Sequence, residues 1–504
     1  MSTASVQAGG RWWEEVRPQV SIVVVFLVLL LALSLQNRVT DPDFWWHLRT
    51  GQWILKEMRI PYTDAYSYTM QGQPWIAHSW LAEIAMYLLY QYIGPFILPL
   101  LRSLLQVATM ALLLKMLWQR WPRLWGSMAL ILVAFFASTK FWLVRPNSAS
   151  LVLFVAILYL WYRYKWQGRD QLWLLPMLMA LWANLHSGYI YGLLLLGALS
   201  VGEVLAGRFW PDPVPLERKR WLRLGLFSLL SVPAVLLNPY GVHLLLYPFT
   251  YYLGGISLHT GYVGEWLSPN FHEFSNILLA LLILALIATM AWRRSTMGPA
   301  ETLALLLFVG LSLSSVRAAG VAIPLLIWSL AGVLGQGVAP RAGTSRRGAW
   351  PQPTKAVLWG WYGGTMLLVM LLLAAAALQF AFWGRAAGFI EEQGYPKQAV
   401  TELSTLPAEA RIFNSYNWGG YLIWKHPDRL VFIDGRADLY GDDLFAEYMH
   451  VWKAGPNWSD VLDKYAVDVV LCERPGPLAT VLTASTAWES CYADETAAVF
   501  QRAP

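Results

Sequence analysis

Cysteine is nearly absent from this sequence, with two in 504 residues, and charge is scarce, with Asp, Glu, Lys and Arg together at 13%. The first shortage excludes a disulfide-stapled scaffold. The second is half the ~25% charge of an ordinary soluble domain and excludes a water-soluble enzyme. No internal repeat is evident, and long apolar runs exclude disorder and collagen-like structure. What the chain does contain is apolar: 57% of residues are hydrophobic, and the mean hydropathy is +0.43. Its 29 Trp and 24 Tyr suit an extensive membrane–water interface, where amphipathic rings sit at headgroup depth. The pI of about 9.1 does not indicate a nucleic-acid partner, because the charge is unevenly placed. Residues 1–384 hold 27 Lys+Arg against 14 Asp+Glu, whereas 385–504 hold 10 against 17. The basic excess belongs to the apolar part, where membrane topology explains it.

Apolar runs near the length needed to cross ~30 Å of hydrocarbon fall at 20–36, 95–118, 124–143, 147–163, 171–185, 189–206, 222–238, 275–292, 300–316, 318–335 and 356–383. About eleven transmembrane helices are expected. The first run lacks a small-residue cleavage pattern and reads as a retained anchor. Of the 27 Lys and Arg before residue 385, 19 fall in alternate short loops, which sets the N-terminus in the cytoplasm. The expected fold is therefore mainly α. A cytoplasmic segment 1–19 precedes a multi-span membrane domain 20–384 with outer loops 37–94 and 239–274, and a small extracytoplasmic α/β domain spans 385–504. The setting is the plasma (inner) membrane. Cys472 and Cys491 both fall on the outer side, where a disulfide is chemically permitted and two unpaired thiols are the alternative.

The first outer loop opens with Asp41-Pro42-Asp43-Phe44-Trp45-Trp46-His47-Leu48-Arg49-Thr50-Gly51. Apolar residues at helical spacing predict a helix over 43–58 lying along the membrane surface on Trp45, Trp46 and Trp53. A second helix is signalled from about Ser79 to Tyr92, with turn chemistry around Asp64 and Gln71–Pro74 between them. Carboxylates at i and i+2 beside a bilayer can accept a proton from an attacking hydroxyl or amine. Together they can also hold a hard divalent cation, Mg or Mn, against phosphate oxygens. The plainer alternative makes Asp41 and Asp43 a turn and a helix cap.

This segment resembles the start of a GT-C glycosyltransferase, the polytopic class that includes protein O-mannosyltransferases, aminoarabinose transferases and oligosaccharyltransferases. The likeness is carried by the acidic motif after the first span, the Gly51-Gln52-Trp53-Ile54 turn, the Pro-rich segment Gln73–Leu81, and Arg102 opening the next span. It extends over about 20–330 in architecture and 41–105 in motif, and is nearest the bacterial branch that uses polyprenyl-phosphate sugars. Two departures from that branch are Phe44, where the family has a second acid, and Ala77-His78-Ser79, where it has Lys-Pro-Pro. The resemblance implies an inverting transferase that moves a hexosyl or pentosyl unit from a polyprenyl-phosphate donor to an outer protein, lipid or glycan acceptor. Asp43 would be the base and Asp41 its helper or a metal ligand. His47, Arg49, Asp64, His78 and Glu83 would line the site.

Further polar points fall at the outer rim: Lys140, Arg145-Pro146-Asn147, Asn184, His186, Glu265 and Arg317. Ionisable groups at membrane depth are functional candidates, since leaving them against lipid is costly. Arg102, Arg145 and Arg317 would neutralise a lipid-linked phosphate; helix capping and snorkelling are the alternative. In the outer domain, 431–434, 467–471 and 497–500 read as strands, 395–406, 442–453 and 458–465 as helices, and 414–421 as a Gly-containing loop. The Asp434–Asp438 turn either contacts a ligand or is a paired Asp–Arg turn that holds the loop. Outside enzymes, the composition also fits a transporter or flippase, or a catalytically inactive GT-C-like scaffold.

Overall fold

A computed structural model describes residues 4–36, 41–206, 209–212, 214–253, 261–336 and 394–503, with scattered positions in 363–374 and with side chains from residue 19 onward. The expected span at 356–383 and the Pro/Gly/Arg-rich stretch around 336–355, which reads as a linker, fall almost wholly outside the described residues. The other ten expected spans coincide with helices. In chain order the helices up to residue 335 are α1 (Ala4–Leu35), α2 (Phe44–Glu57), α3 (Trp80–Ile93), α4 (Ile97–Arg120), α5 (Leu124–Ser138), α6 (Asn147–Gln167), α7 (Leu174–Leu185), α8 (Tyr189–Leu205), α9 (Arg218–Ala234), α10 (Val242–Leu253), α11 (Phe274–Arg293), α12 (Pro299–Ser314) and α13 (Ala319–Gly335). Among the described residues, four stretches are long and apolar enough to cross a membrane: Ile97–Arg120, Leu124–Phe141, Phe274–Arg293 and Val316–Gly335. Gln19–Leu35, α7, α8 and α12 are apolar but shorter.

Helix α13 is buried at every position from Ala319 to Val333, as expected of a helix apolar on all faces and ringed by others. The peripheral helices turn leucine and isoleucine outward instead, with Leu229 on α9 and Ile287 on α11 exposed. An outward apolar flank of this kind is stable against lipid, not water.

The short helices α2 and α3 form where periodicity places them, and the apolar stripe of α2 packs inside the fold. Phe44, Trp45, Trp46, His47 and Leu48 are all buried. Trp45 packs edge-on against Tyr395 and Tyr421, with ring centroids 5.9 and 5.4 Å apart, and lies 6.2 Å from Trp424. The apolar stripe read as lipid-facing is therefore covered by protein from the far end of the sequence. Each large side chain so covered contributes about 1.5–3 kcal/mol.

That cover is an α/β unit. Its sheet runs in the order β1-β2-β4-β3, from Ile412–Asn414 (β1), Val469–Glu473 (β2), Trp488–Ala493 (β3) and Ala497–Arg502 (β4). β1 and β2 are parallel, with Phe413 opposite Val470, and the other pairs are antiparallel. Helices α14 (Lys397–Glu402), α15 (Gly419–Lys425), α16 (Ala437–Trp452), α17 (Trp458–Lys464) and α18 (Pro477–Ala484) accompany it. The segment expected as a strand at 431–434 makes only isolated bridges, from Val431 to Ile412 and to Ser67 of the first loop. The loop expected at 414–421 instead winds into a 3₁₀ turn and α15.

The permitted disulfide does not form. Cys472 is buried and Cys491 exposed, and both are free. Cys472 lies on β2 and Cys491 at the bulge of β3, with β4 between them. Strands two places apart are about 9.6 Å from each other, beyond the roughly 7 Å reach of a disulfide.

Candidate active site

Residues 41–43 end the link from α1 and lead straight into α2. Asp43 stands at the N-cap position yet makes no side-chain cap. Instead its Oδ1 accepts the Trp46 indole N–H at 3.1 Å, and its Oδ2 lies 2.8 Å from Arg145 NH1. Asp41 holds the turn by accepting the Asp43 amide at 3.0 Å, and its Oδ2 lies 3.2 Å from Arg145 Nε. Arg145 NH2 in turn donates to Glu265. The segment carrying Glu265 is pinned through its carbonyl, which accepts the Arg317 amide and the Ser315 hydroxyl, both at 3.0 Å.

Behind this cluster, α2 and α3 touch so closely that a Cβ on Gly51 would lie 2.1 Å from the Glu83 carbonyl. Only glycine permits that approach, and it brings His47 Nδ1 to 2.8 Å from Glu83. Burial lowers the His47 pKa, with help from His78 and Arg145, and raises that of Glu83. Both shifts are toward the uncharged forms of the two groups. His78 is likewise held near 3 by burial and by Arg317.

Asp41, Asp43, His47, His78, Glu83, Arg145, His186 and Arg317 all line a cavity of about 420 Å³. An adjoining cavity of about 380 Å³ shares Lys140, Arg145, His186, Glu265 and Arg317 with it, and its own lining includes Phe141, Leu151, Tyr191 and Val321 beside Ser150 and Glu273. One chamber is thus acidic and the other more apolar, with cationic side chains along their boundary. Burial, with the Asp41 charge adding to it and Arg145 opposing, pushes the Asp43 carboxyl up to about 7. Asp41 is also raised, chiefly by burial. Glu265 is pushed up by burial, but Arg145 and Arg317 bring it below its ordinary value. A carboxylate near neutrality beside a cavity can take a proton and later release it.

Four residues expected at the site lie elsewhere. Arg102 is buried in the helix packing, donating to the Ser34 carbonyl at 2.6 Å and to Ser103. Asn184 accepts the Trp80 indole N–H and donates to the carbonyls of Ala180 and Leu237. Arg49 donates to Gln52, its neighbour one turn on. Asp64 caps its own turn at Tyr66 and Ser67 and meets Arg436 NH1 at 2.6 Å. In each case polar groups of the fold engage the side chain, although the Nε of Arg49 and of Arg102 is buried without a hydrogen-bond partner.

The remaining site residues come from distant segments. Glu265, one of the polar rim candidates, belongs to the second outer loop and lines the cavity. Tyr416, Asn417, Gly435 and Asp438 come from the α/β unit and close the cavity wall. Arg436 is gripped by Asp434 through Nε at 2.8 Å and NH2 at 2.7 Å, so the paired-turn reading of Asp434–Asp438 holds. The same turn still reaches the site, because Gly435 leaves room for the Asp43 carboxylate; a Cβ there would lie 1.9 Å from Oδ1.

The arrangement has parallels among solved structures. An oligosaccharyltransferase, AglB from Archaeoglobus fulgidus, in complex with an inhibitory peptide and a dolichol-phosphate, is similar at 11% identity. The match covers 97% of this chain and 74% of that one, with a TM-score of 0.58. The chain has the GT-C fold. The same oligosaccharyltransferase in complex with Zn and sulfate matches at 12% identity and a TM-score of 0.53, over 90% of this chain and 68% of that one. ArnT from Cupriavidus metallidurans in the apo state matches at 11% identity over 96% and 98% of the two chains, with a TM-score of 0.49. No family model and no curated relative matches the sequence. In this chain the acidic motif after the first helix lines a cavity.

Proposed function

We propose that this chain is a membrane glycosyltransferase that moves a sugar from a polyprenyl-phosphate donor to an acceptor on the non-cytoplasmic face of the plasma membrane. The N-terminus lies in the cytoplasm, and the cavity and the domain 385–504 lie outside. One observation carries the reading: the Asp43 carboxylate, freed from any capping duty, faces a cavity large enough for a sugar and its acceptor. Asp43 takes the proton of the acceptor hydroxyl or amine as that atom bonds to the anomeric carbon. The bond from that carbon to the phosphate oxygen breaks on the opposite face, and polyprenyl phosphate departs.

Arg317 and Lys140 sit between the acidic and the more apolar chamber, where a lipid phosphate would enter. Arg145 is held by three carboxylates, and Lys140 reaches Glu273 at 2.9 Å and Asn276 at 2.8 Å from the same boundary. The position of both cavities at the helix ends, beside the first loop, favours transfer over transport, which calls for a midplane site between related halves.

The test is direct. Purified chain in lipid, given labelled polyprenyl-phosphate sugar and a membrane acceptor extract, is expected to release polyprenyl phosphate and label the acceptor. No donor consumption across a panel of hexosyl and pentosyl donors would sink the reading. Rate is also expected to climb with pH through about 7 and then level off, because the Asp41–Asp43 pair must be ionised to accept a proton. A profile flat from about pH 5.5 to about 8.5 would remove Asp43 from the proton transfer.

A further inference from the structure

Three carboxylates from two separate segments converge at the head of the cavity, and what they enclose is a guanidinium. Arg145 Nε faces Asp41 at 3.2 Å, NH1 faces Asp43 at 2.8 Å, and NH2 donates to Glu265. Each nitrogen of the planar fork meets a different carboxylate, and the Arg145 side chain is only 13% exposed. Both sides of the clasp are rigid. Pro146 follows Arg145 at the start of α6, and Glu265 is tied by its carbonyl to residues 315 and 317.

Asp41, Asp43 and Glu265 are also the donor set a hard divalent cation would choose, all oxygen and all anionic. The two occupants exclude each other. Guanidinium has no proton to lose at accessible pH, so a divalent ion on these oxygens would sit against a permanent positive charge. It would also take the oxygens that Arg145 now contacts, and Arg145 would have to leave a buried place.

We propose that Arg145 is the resident cation of this site, gathering the three carboxylates and balancing their charge, and that the protein binds no divalent metal there. The part of this proposal that concerns catalysis rests on the function proposed above; the part that concerns binding does not.

Full-length chain, stripped with EDTA, is titrated with Mn²⁺ alone and free Mn²⁺ is followed by its spin resonance. The wild type is expected to show no stoichiometric uptake up to about 0.5 mM. Arg145→Met empties the clasp and is expected to take up one Mn²⁺ per chain, roughly tenfold or more tighter than the wild type, because buried carboxylates left without their partner seek another cation. Adding Glu265→Gln to that variant is expected to abolish the uptake. One tightly held Mn²⁺ in the wild type, removed by Asp41→Asn, overturns the proposal, and so does a folded Arg145→Met chain that binds none. Should Arg145→Met fail to fold, the wild-type titration decides alone. Because the readout is metal uptake, it is independent of whether Asp43→Asn spares sugar transfer.

Discussion

Asp43→Asn is expected to lower sugar transfer by about 10²–10⁴-fold, the span a positioned general base contributes, while the donor KM stays within a few-fold. The amide keeps the size of the side chain, and its single oxygen can accept from Trp46 or from Arg145 but not from both. What is lost is the group that takes the acceptor proton. A capping role predicts something different: a stability loss of ~1 kcal/mol and unchanged turnover. The geometry already separates these outcomes, since Asp43 makes no cap contact. The measurement is release of polyprenyl phosphate under single-turnover conditions, with thermal unfolding of the variant alongside. A variant of wild-type rate would eliminate the base.

Arg436→Met is expected to cost about 3–5 kcal/mol of stability, the usual consequence of removing one partner from a buried ion cluster. Arg436 is 1% exposed and serves two acids, Asp434 and Asp64, that are themselves buried. Its guanidinium also lies over the rings of Tyr66 and Trp75, at 4.9 and 4.7 Å. Methionine matches much of the volume, so the loss comes from two carboxylates left without a counter-ion, not from a void. Denaturant unfolding followed by tryptophan fluorescence reads the change; a loss below about 1 kcal/mol would show that the cluster is solvated after all. Transfer is expected to fall in step, because the turn that holds Arg436 also presses Gly435 against Asp43. Restoring the balance with Asp64→Asn in the same chain is expected to recover part of the stability.

The two predictions differ in how far the sequence reveals them. The acidic pair, and the His47–Glu83 contact between two helices, lie within one loop, and local periodicity places them. The membrane helices are legible for the same reason, since an apolar run near bilayer length has few alternatives. In the α/β unit, Val469–Leu471 and Ala498–Phe500 read as buried strands because they are continuous apolar runs. β1 escapes because three residues carry no period, and β3 because most of its side chains are exposed. The run Val431-Phe432-Ile433 misleads for the opposite reason: it is apolar and buried, but its backbone partners are divided between Ile412 and the first loop.

The partners of Glu265, and the reach of Arg436 to Asp64, are beyond local reading. Each depends on contacts between segments more than 100 residues apart, and a lone acid or an Asp–Gly–Arg turn looks the same whether it faces solvent or a catalytic cavity. Arg102 and Arg145 show the converse. Both are expected to meet a lipid-linked phosphate, yet one is engaged in the helix packing and the other by three carboxylates.

The bridge between Asp64 and Arg436 joins positions 372 residues apart. During synthesis at the ribosome, the early loop with its reactive acids therefore emerges long before the residues that seat it. Until the late turn arrives, α2 has a bare aromatic flank and Asp43 has no wall on one side. The wall of the Asp43 cavity is thus complete only after residues 416–438 have been made.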